Sequence, residues 1–193
     1  RSGRLACSMI PSTGRALNAP SSLRASASSA LFATDVDTEI SVVSNGVDLG
    51  YFCPIENAPS LNTIVYSGKM SYHANVTAAL YLAQEIMPLV WQGNPSAKLV
   101  IAGSRPPAAI QSLSSDPRIT VTGYVEDLRQ PLRQATLAVA PLLYGAGIQN
   151  KVLEAMAMAQ AVVASATCAK PIDAESGTEL LCATTAEDYI AHI

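Results

Sequence analysis

The sequence predicts an α/β fold, a Rossmann-like parallel sheet with helices on both faces. Short apolar segments of strand length alternate with helical segments from Ile40 onward. Alternation of this kind is typical of a parallel sheet that is covered on both faces. Glycine and polar residues follow the predicted strands, for example at Gly68-Lys69 and Gly145–Lys151. Loops at the carboxyl ends of parallel strands meet at one edge of the sheet, so we expect a ligand site there.

The elements follow in order along the chain. The predicted strands are Thr63–Ser67, Lys98–Ala102, Ile119–Val121, Thr136–Pro141 and Ala161–Ala164. The predicted helices are Asn75–Trp91, Pro106–Leu113, Asp127–Ala135 and Lys151–Ala159. Asn75 and Asp127 can cap their helices, and Pro106 stands where a helix accepts proline. Pro131 inside the third helix predicts a short or kinked element.

Composition limits the function classes. The chain has 193 residues, of which 49% are hydrophobic, and this suits one domain with a sizeable core. A net charge of −3, two Phe and one Trp argue against nucleic-acid binding. No apolar run approaches the roughly 18 residues that cross a bilayer, so we expect at most peripheral membrane association. The four cysteines lack ligand or redox spacing, which favours a cytoplasmic location, peripheral at most at the inner face of the membrane.

Residues 1–38 differ from the rest of the chain. They contain four Arg and eight Ser, and no acidic residue precedes Asp35. A transit peptide has such a composition. Because the chain starts at Arg1 and not at a methionine, we favour an irregular linker or the remnant of an upstream domain. Residues 39–193 then form the Rossmann-like domain.

The segment Tyr144–Ser165, YGAGIQNKVLEAMAMAQAVVAS, combines a polar turn, a helix start and a strand. The backbone amides of Gln149, Asn150 and Lys151 are expected to be unpaired at the helix start, where the helix dipole favours an anion. Glu154 lies three residues after Lys151 and four after Asn150, so the three side chains share one helix face. A carboxylate there could accept both hydroxyls of a ribose. The alternative is a solvated ion pair between Lys151 and Glu154.

These residues also carry a family resemblance. The run from Ala146 to Ala157 followed by Ala161-Val-Val-Ala resembles the nucleotide-sugar signature of GT-B-type glycosyltransferases of family 4, the retaining group 1 transferases. Three further segments agree in order: Asn45-Gly-Val-Asp48, Ser67-Gly-Lys69 and Val121-Thr-Gly-Tyr-Val125. The variant GIQNKVLEAMAM resembles a sub-branch found with bacterial exopolysaccharide and surface-sugar operons.

The resemblance implies one half of a GT-B architecture, the C-terminal domain that binds a nucleoside diphosphate sugar. The sugar would pass to a glycan or lipid-linked acceptor held by a missing N-terminal domain, and the fragment alone would be inactive. No metal and no cofactor are expected, and no catalytic residue is assigned. The implied nucleotide-sugar-binding residues are Gly68, Lys69, His73, Val125, Gly147, Ile148, Gln149, Asn150, Lys151 and Glu154.

Two positions depart from the family pattern. Ala146 stands where the first glutamate of the family's paired glutamates is expected, and Ala74 stands where a lysine for the diphosphate is expected. His73 and Lys151 could replace the missing cation, because a phosphate needs charge-assisted donors and not one residue type.

Two other functions compete with transfer. Ala146 leaves open a non-catalytic nucleotide-sugar-binding module. Gly145-x-Gly147 after a strand suggests a nicotinamide-dependent oxidoreductase, but Asn150 occupies the third glycine position and no acid follows the next strand before Asp173.

Overall fold

A parallel sheet organises the chain in the computed structural model, which describes residues 44–54, 62–145 and 147–193. Its strands are β1 (Thr63–Ser67), β2 (Lys98–Ala102), β3 (Ile119–Gly123), β4 (Leu137–Ala140), β5 (Ala161–Ser165) and β6 (Leu181–Ala183). The order across the sheet is β3-β2-β1-β4-β5-β6, and every pair is parallel. The order reverses between β1 and β4, as in a doubly wound fold. The predicted fold class is confirmed.

The helices lie between the strands. They are α1 (His73–Tyr81), α2 (Met87–Gly93), α3 (Ala108–Gln111), α4 (Arg129–Gln134), α5 (Asn150–Ala157), α6 (Ala166–Ala169) and α7 (Ala186–His192). A π-helical turn, Leu82–Ile86, joins α1 to α2, and the 3₁₀ turns Ser112–Ser115 and Lys170–Ile172 extend α3 and α6. Because parallel crossovers are right-handed, the helices that follow β1 and β4 leave toward opposite faces of the sheet.

The central strands supply the core. Every residue of β1 and of β4 is buried, whereas the edge strands β3 and β6 are partly exposed. Tyr66, Leu99 and Ile101 are fully buried next to one another in β1 and β2. Burial of such side chains stabilises each by about 1.5–3 kcal/mol, and the loops that leave the strand ends therefore start from a rigid platform.

The strand boundaries agree closely with the prediction except at the end of the sheet. β1 and β2 have the predicted limits, whereas β3 continues to Gly123 and β5 to Ser165. β4 is one residue shorter at each end than the predicted Thr136–Pro141. β6 was not predicted. It has three residues and pairs only with β5, and so short a run gives no alternation signal in the sequence.

Two predicted helix caps are wrong. α1 begins at His73 with Tyr72 at its N-cap, so Asn75 lies inside the first turn and is buried. α4 begins at Arg129 after Leu128, although the Asp127 carboxylate still accepts a hydrogen bond from the Arg129 amide at 2.9 Å.

The two proline predictions had different outcomes. The predicted helix start at Pro106 moves to Ala108. α4, which contains Pro131, has only six residues, and the prediction of a short element is confirmed.

Several expectations fall outside the described residues or concern membranes. The proposed division at residues 1–38 and the substitution at Ala146 lie outside the described residues. Within the described part of the chain, no helix has the length and apolar character needed to span a bilayer.

Candidate functional site at the carboxyl edge of the sheet

A cavity of about 490 Å³ lies at the carboxyl ends of the strands and the start of α5. Three groups of residues follow β1, β2 and β3, and the fourth begins α5. The lining residues are Ser67, Gly68, Lys69, Tyr72, Asn75, Ala102, Gly103, Ser104, Tyr124, Val125, Leu128, Gln149, Asn150, Lys151 and Glu154. The cavity occupies the place where the strand order reverses, because there the loops after β1 and β4 diverge. Open α/β sheets bind their ligands at this place.

Two helices begin at the cavity without a side-chain cap. Tyr72 precedes α1 and Gln149 precedes α5, and neither side chain bonds to its helix start. No described residue accepts a hydrogen bond from the backbone amide of Gln149, Asn150 or Lys151. Free amides and the positive end of the helix dipole make such a start suitable for an anion.

The Lys151 side chain turns inward toward β1 and α1. Its ammonium donates to Asn75 Oδ1 at 2.5 Å and to the Tyr66 hydroxyl at 3.3 Å. It also lies 5.0 Å from the centroid of the Tyr66 ring. Burial lowers the pKa of Lys151 to about 8, against opposing effects of Cys168 and Glu154. The site therefore holds a positive charge that is largely removed from water.

Glu154 lies one turn further along α5. Its side chain is half-buried and lines the cavity, and no described residue forms a hydrogen bond or ion pair with its carboxylate. Burial raises the pKa of Glu154, whereas Lys151 acts in the opposite direction. The solvated ion pair between Lys151 and Glu154 is absent from the described residues. A half-buried carboxylate without a partner is suited to accept hydrogen bonds from a ligand.

Close backbone contact shapes the cavity wall. A Cβ atom at Gly103 would overlap the carbonyl oxygen of Gly68, so the loops after β1 and β2 can meet only with glycine at position 103. A Cβ atom at Gly68 would lie 2.9 Å from Asn75 Nδ2 and 3.2 Å from Lys151 Nζ. Glycine at both positions leaves room for the polar side chains.

Seven of the predicted residues line this cavity. They are Gly68, Lys69, Val125, Gln149, Asn150, Lys151 and Glu154. The structure thus brings together residues from three loops that are far apart in the sequence. Lys69 is exposed, and among the described residues its side chain has no partner.

Three predicted residues do not line the cavity. His73 lies in the first turn of α1, where its Nδ1 is 3.0 Å from the Tyr144 hydroxyl and the two rings stack at 5.4 Å. This contact joins α1 to the loop after β4, and the imidazole is not among the groups that line the cavity. Gly147 and Ile148 precede α5 and do not line the cavity.

Other lining residues were not predicted to act. Asn75 is 7% exposed and contacts both Lys69 and Lys151. From its position in the sequence it was predicted only to cap a helix. Tyr72 and Tyr124 are 47% and 77% exposed at the cavity. The sequence signal for these two residues was weak: each is a tyrosine that comes shortly after a glycine at the end of a predicted strand.

A second cavity, of about 540 Å³, lies at the amino end of β3, and no residue at the start of α1 or α5 lines it. Its charged groups are paired: Arg118 donates to Asp116 at 2.7 and 3.0 Å and stacks 3.6 Å over the Trp91 ring. The described residues contain no group of three or more His, Cys, Asp or Glu that could hold a metal ion.

A family comparison agrees with this geometry. A model of the family described as glycosyl transferases group 1 matches residues 61–193, more than half of the chain. The chain belongs to the group 1 glycosyl transferases. No curated protein sequence matches the chain.

Solved structures of glycosyltransferases share the fold of this group 1 glycosyl transferase domain. A point mutant of TarM from S. aureus, in complex with fondaparinux, alpha-GlcNAc-glycerol and UDP, has a TM-score of 0.63 at 17% identity, over 81% of this chain and 32% of that chain. Anabaena HepE in complex with UDP and glucose has a TM-score of 0.60 at 14% identity, over 79% and 45% of the two chains. The chain therefore spans about a third to a half of these two proteins.

A separate domain gives a comparison of similar length. The C-terminal domain of LpcC, a glycosyl transferase group 1 family protein from Francisella tularensis, has a TM-score of 0.58 at 20% identity. The match covers 76% of this chain and 85% of that one. The group 1 domain therefore has the Rossmann-like fold found in GT-B glycosyltransferases.

Proposed function

We propose that the group 1 domain binds a nucleoside diphosphate sugar and is the donor half of a retaining glycosyltransferase. The observation that carries the proposal is the pair of charged groups in one cavity, the unpaired carboxylate of Glu154 and the buried ammonium of Lys151. A nucleoside diphosphate offers both matching groups, ribose hydroxyls for the carboxylate and phosphate for the cation. The membership in a glycosyl transferase family supports this choice.

The diphosphate fits the start of α5. There the free amides of Gln149, Asn150 and Lys151 and the dipole of an eight-residue helix favour negative charge. The uncapped start of α1 faces the same cavity. These groups would stabilise the charge that develops on the diphosphate as it leaves the sugar, which is electrostatic preorganisation.

The nucleoside fits beside the diphosphate. Glu154 lies about one helical turn from Asn150, and its carboxylate can accept hydrogen bonds from the hydroxyls of the ribose. Val125 and Tyr124 lie at the opposite side of the cavity, after β3, and can contact the base. Because the helix starts and Lys151 supply the positive charge, we propose that binding requires neither a metal nor a cofactor.

The acceptor requires a second domain in this proposal. Large apolar side chains are exposed on the segments that surround the cavity, where another domain could cover them. These side chains are Leu49, Tyr51, Tyr72, Tyr124, Leu143 and Tyr144. We propose that this domain precedes the chain and holds a glycan or lipid-linked acceptor, so residues 1–193 alone do not transfer sugar. The location would be cytoplasmic, at most peripheral to the membrane.

A second candidate is a module that binds the nucleotide sugar without transferring it. Ala146 favours this function, since the family pattern has a glutamate there. A nicotinamide-dependent oxidoreductase is less suited, because the glycine-rich turn follows β4 and not the first strand.

Calorimetry with UDP, GDP and ADP in the presence of EDTA tests the binding proposal. We expect at least one diphosphate to bind without Mg²⁺, with NADH as the comparison ligand that binds more weakly. Absence of binding by all three to folded protein would contradict the proposed function, and a strict Mg²⁺ requirement would contradict its metal-free part. Sugar transfer by a longer chain that includes the upstream domain would separate the enzyme from the binding module.

A further inference from the structure

We propose that Asn75 is a positioning residue for the diphosphate, because its neutral amide holds the Lys151 ammonium at the cavity and leaves the positive charge to the ligand. This inference rests on the proposed function for its ligand. It concerns two residues that lie 76 positions apart, on the starts of α1 and α5.

Both the oxygen and the nitrogen of the Asn75 side-chain amide form hydrogen bonds. Its Oδ1 accepts from Lys151 Nζ at 2.5 Å and from the Tyr66 hydroxyl at 3.2 Å. Its Nδ2 donates to the Lys69 carbonyl oxygen at 3.0 Å. The amide therefore fixes the loop after β1 and the lysine of α5 relative to each other.

Every element around the ammonium contributes a group that bears on its charge. Tyr66 faces it from β1 and Asn75 from α1, Glu154 lies on its own helix, and Cys168 approaches from α6. No described carboxylate forms an ion pair with Lys151. The acceptors within hydrogen-bond distance are thus neutral oxygens.

A neutral acceptor has a specific consequence. An ammonium has three N–H donors. Two acceptors among the described residues, Asn75 Oδ1 and the Tyr66 hydroxyl, lie within hydrogen-bond distance of it. A carboxylate at position 75 would neutralise the cation and would repel a diphosphate. An amide orients the ammonium and leaves its charge uncompensated. An anion in the cavity is then attracted by the whole positive charge of Lys151.

Three variants separate the contacts. Asn75→Asp keeps the acceptor for Lys151, adds a charge and removes the donor to Lys69. Asn75→Ala removes both contacts. Tyr66→Phe keeps the ring and removes one hydroxyl at a fully buried position, so it is the variant best placed to fold.

The first measurement needs no ligand. The chain has four lysines, so ¹³C-labelled lysine gives four Cε signals, and Lys151→Arg identifies the one from Lys151. We expect Asn75→Asp to raise the titration midpoint of that signal by about one pH unit or more, and Asn75→Ala to lower it. Tyr66→Phe should lower it by less. A residue with only a structural role would change the melting temperature and leave the midpoint in place.

The second measurement uses UDP, GDP and ADP with their nucleosides as controls. Both Asn75 variants should weaken the diphosphate by about tenfold or more and the nucleoside much less. The Asp variant is the sharper test, because there the lysine is more firmly charged and yet the diphosphate binds more weakly.

The outcomes are separable. If the titration midpoint of Lys151 stays within about 0.3 pH unit of wild type in both folded Asn75 variants, the claim that Asn75 controls the Lys151 ammonium is wrong. An equal loss of diphosphate and nucleoside overturns the positioning role. If the wild-type protein binds no diphosphate, the proposed function and the ligand half of this inference both fail, and the lysine titration still decides whether Asn75 controls Lys151.

Discussion

Two cavities of the described structure have similar volumes, about 490 and 540 Å³, and differ in how their charged groups are paired. At the amino end of β3, Arg118 is paired with Asp116 and stacked on Trp91. At the carboxyl edge, the Glu154 carboxylate has no partner among the described residues, and Lys151 has only neutral acceptors.

This difference separates a cavity whose charged groups are already paired from a candidate site. Polar groups that form hydrogen bonds or ion pairs with one another do not raise the free energy of the folded state when no ligand is present. Charged groups that are withdrawn from water without a counter-charge raise the free energy of the folded state, and a ligand that pairs them recovers it. Cavity volume alone does not distinguish the two ends of the sheet.

The largest expected effect comes from the backbone of the carboxyl-edge cavity. Gly103→Ala should lower the free energy of unfolding by about 3 kcal/mol, because the new Cβ would overlap the Gly68 carbonyl and the loops must separate. Gly93→Ala is the matched control near the other cavity, since nothing lies within 4 Å of its Cβ position. Denaturant unfolding of both variants measures the difference. Equal stability of the two variants would show that the loops can separate freely.

The buried charge of Lys151 predicts a pH dependence. Its pKa in the folded state is about 8, below the ordinary 10.5, so the folded state releases the proton first as pH rises. The unfolded state then binds more protons, and stability rises between pH 8 and 10.5. Relative to Lys151→Met, the wild-type protein should gain about 2 kcal/mol between pH 7.5 and 9.5 in denaturant unfolding. Parallel pH curves for the two proteins would place the ammonium in water.

The unpaired carboxylate predicts a loss of affinity without a loss of stability. Glu154→Ala should weaken nucleoside diphosphate binding by about tenfold to a hundredfold, the value of charge-assisted bonds to the ribose. Folding should change little, since alanine is the better helix former. Calorimetry and thermal unfolding check the two halves. Affinity within about twofold of wild type, with a melting temperature several degrees lower, would make Glu154 a structural residue.

The smallest effect is expected at the amino-end cavity. Hydrogen bonds from Arg118 hold the pKa of Asp116 at about 2, so this pair contributes stability above about pH 4 that is lost as pH falls toward 2. Because the pair is partly exposed to solvent, Asp116→Asn should lower the melting temperature only slightly at pH 7. Diphosphate affinity should stay within about twofold of wild type. A larger loss of affinity would place a ligand at this end as well.

The sequence determined the local part of the fold. Thr63–Ser67 is buried along its whole length, and Lys98–Ala102 is mostly buried after the exposed Lys98. Strands inside a parallel sheet are rich in apolar residues, so the limits of both could be predicted. The start of α5 and the spacing of Lys151 and Glu154 are also local, since they depend on the helical period alone.

Only the tertiary structure decided which side chains meet. Asn75 and Lys151 are brought within 2.5 Å because β1 and β4 are neighbours in the sheet, and no period in the sequence encodes that adjacency. The same reason explains His73, which contacts Tyr144, 71 residues away, and does not line the cavity. β6 needed a partner strand before three residues could be recognised as a strand. The sequence thus carried the elements and the helix start, and the packing of distant loops produced the uncompensated charges that distinguish the site.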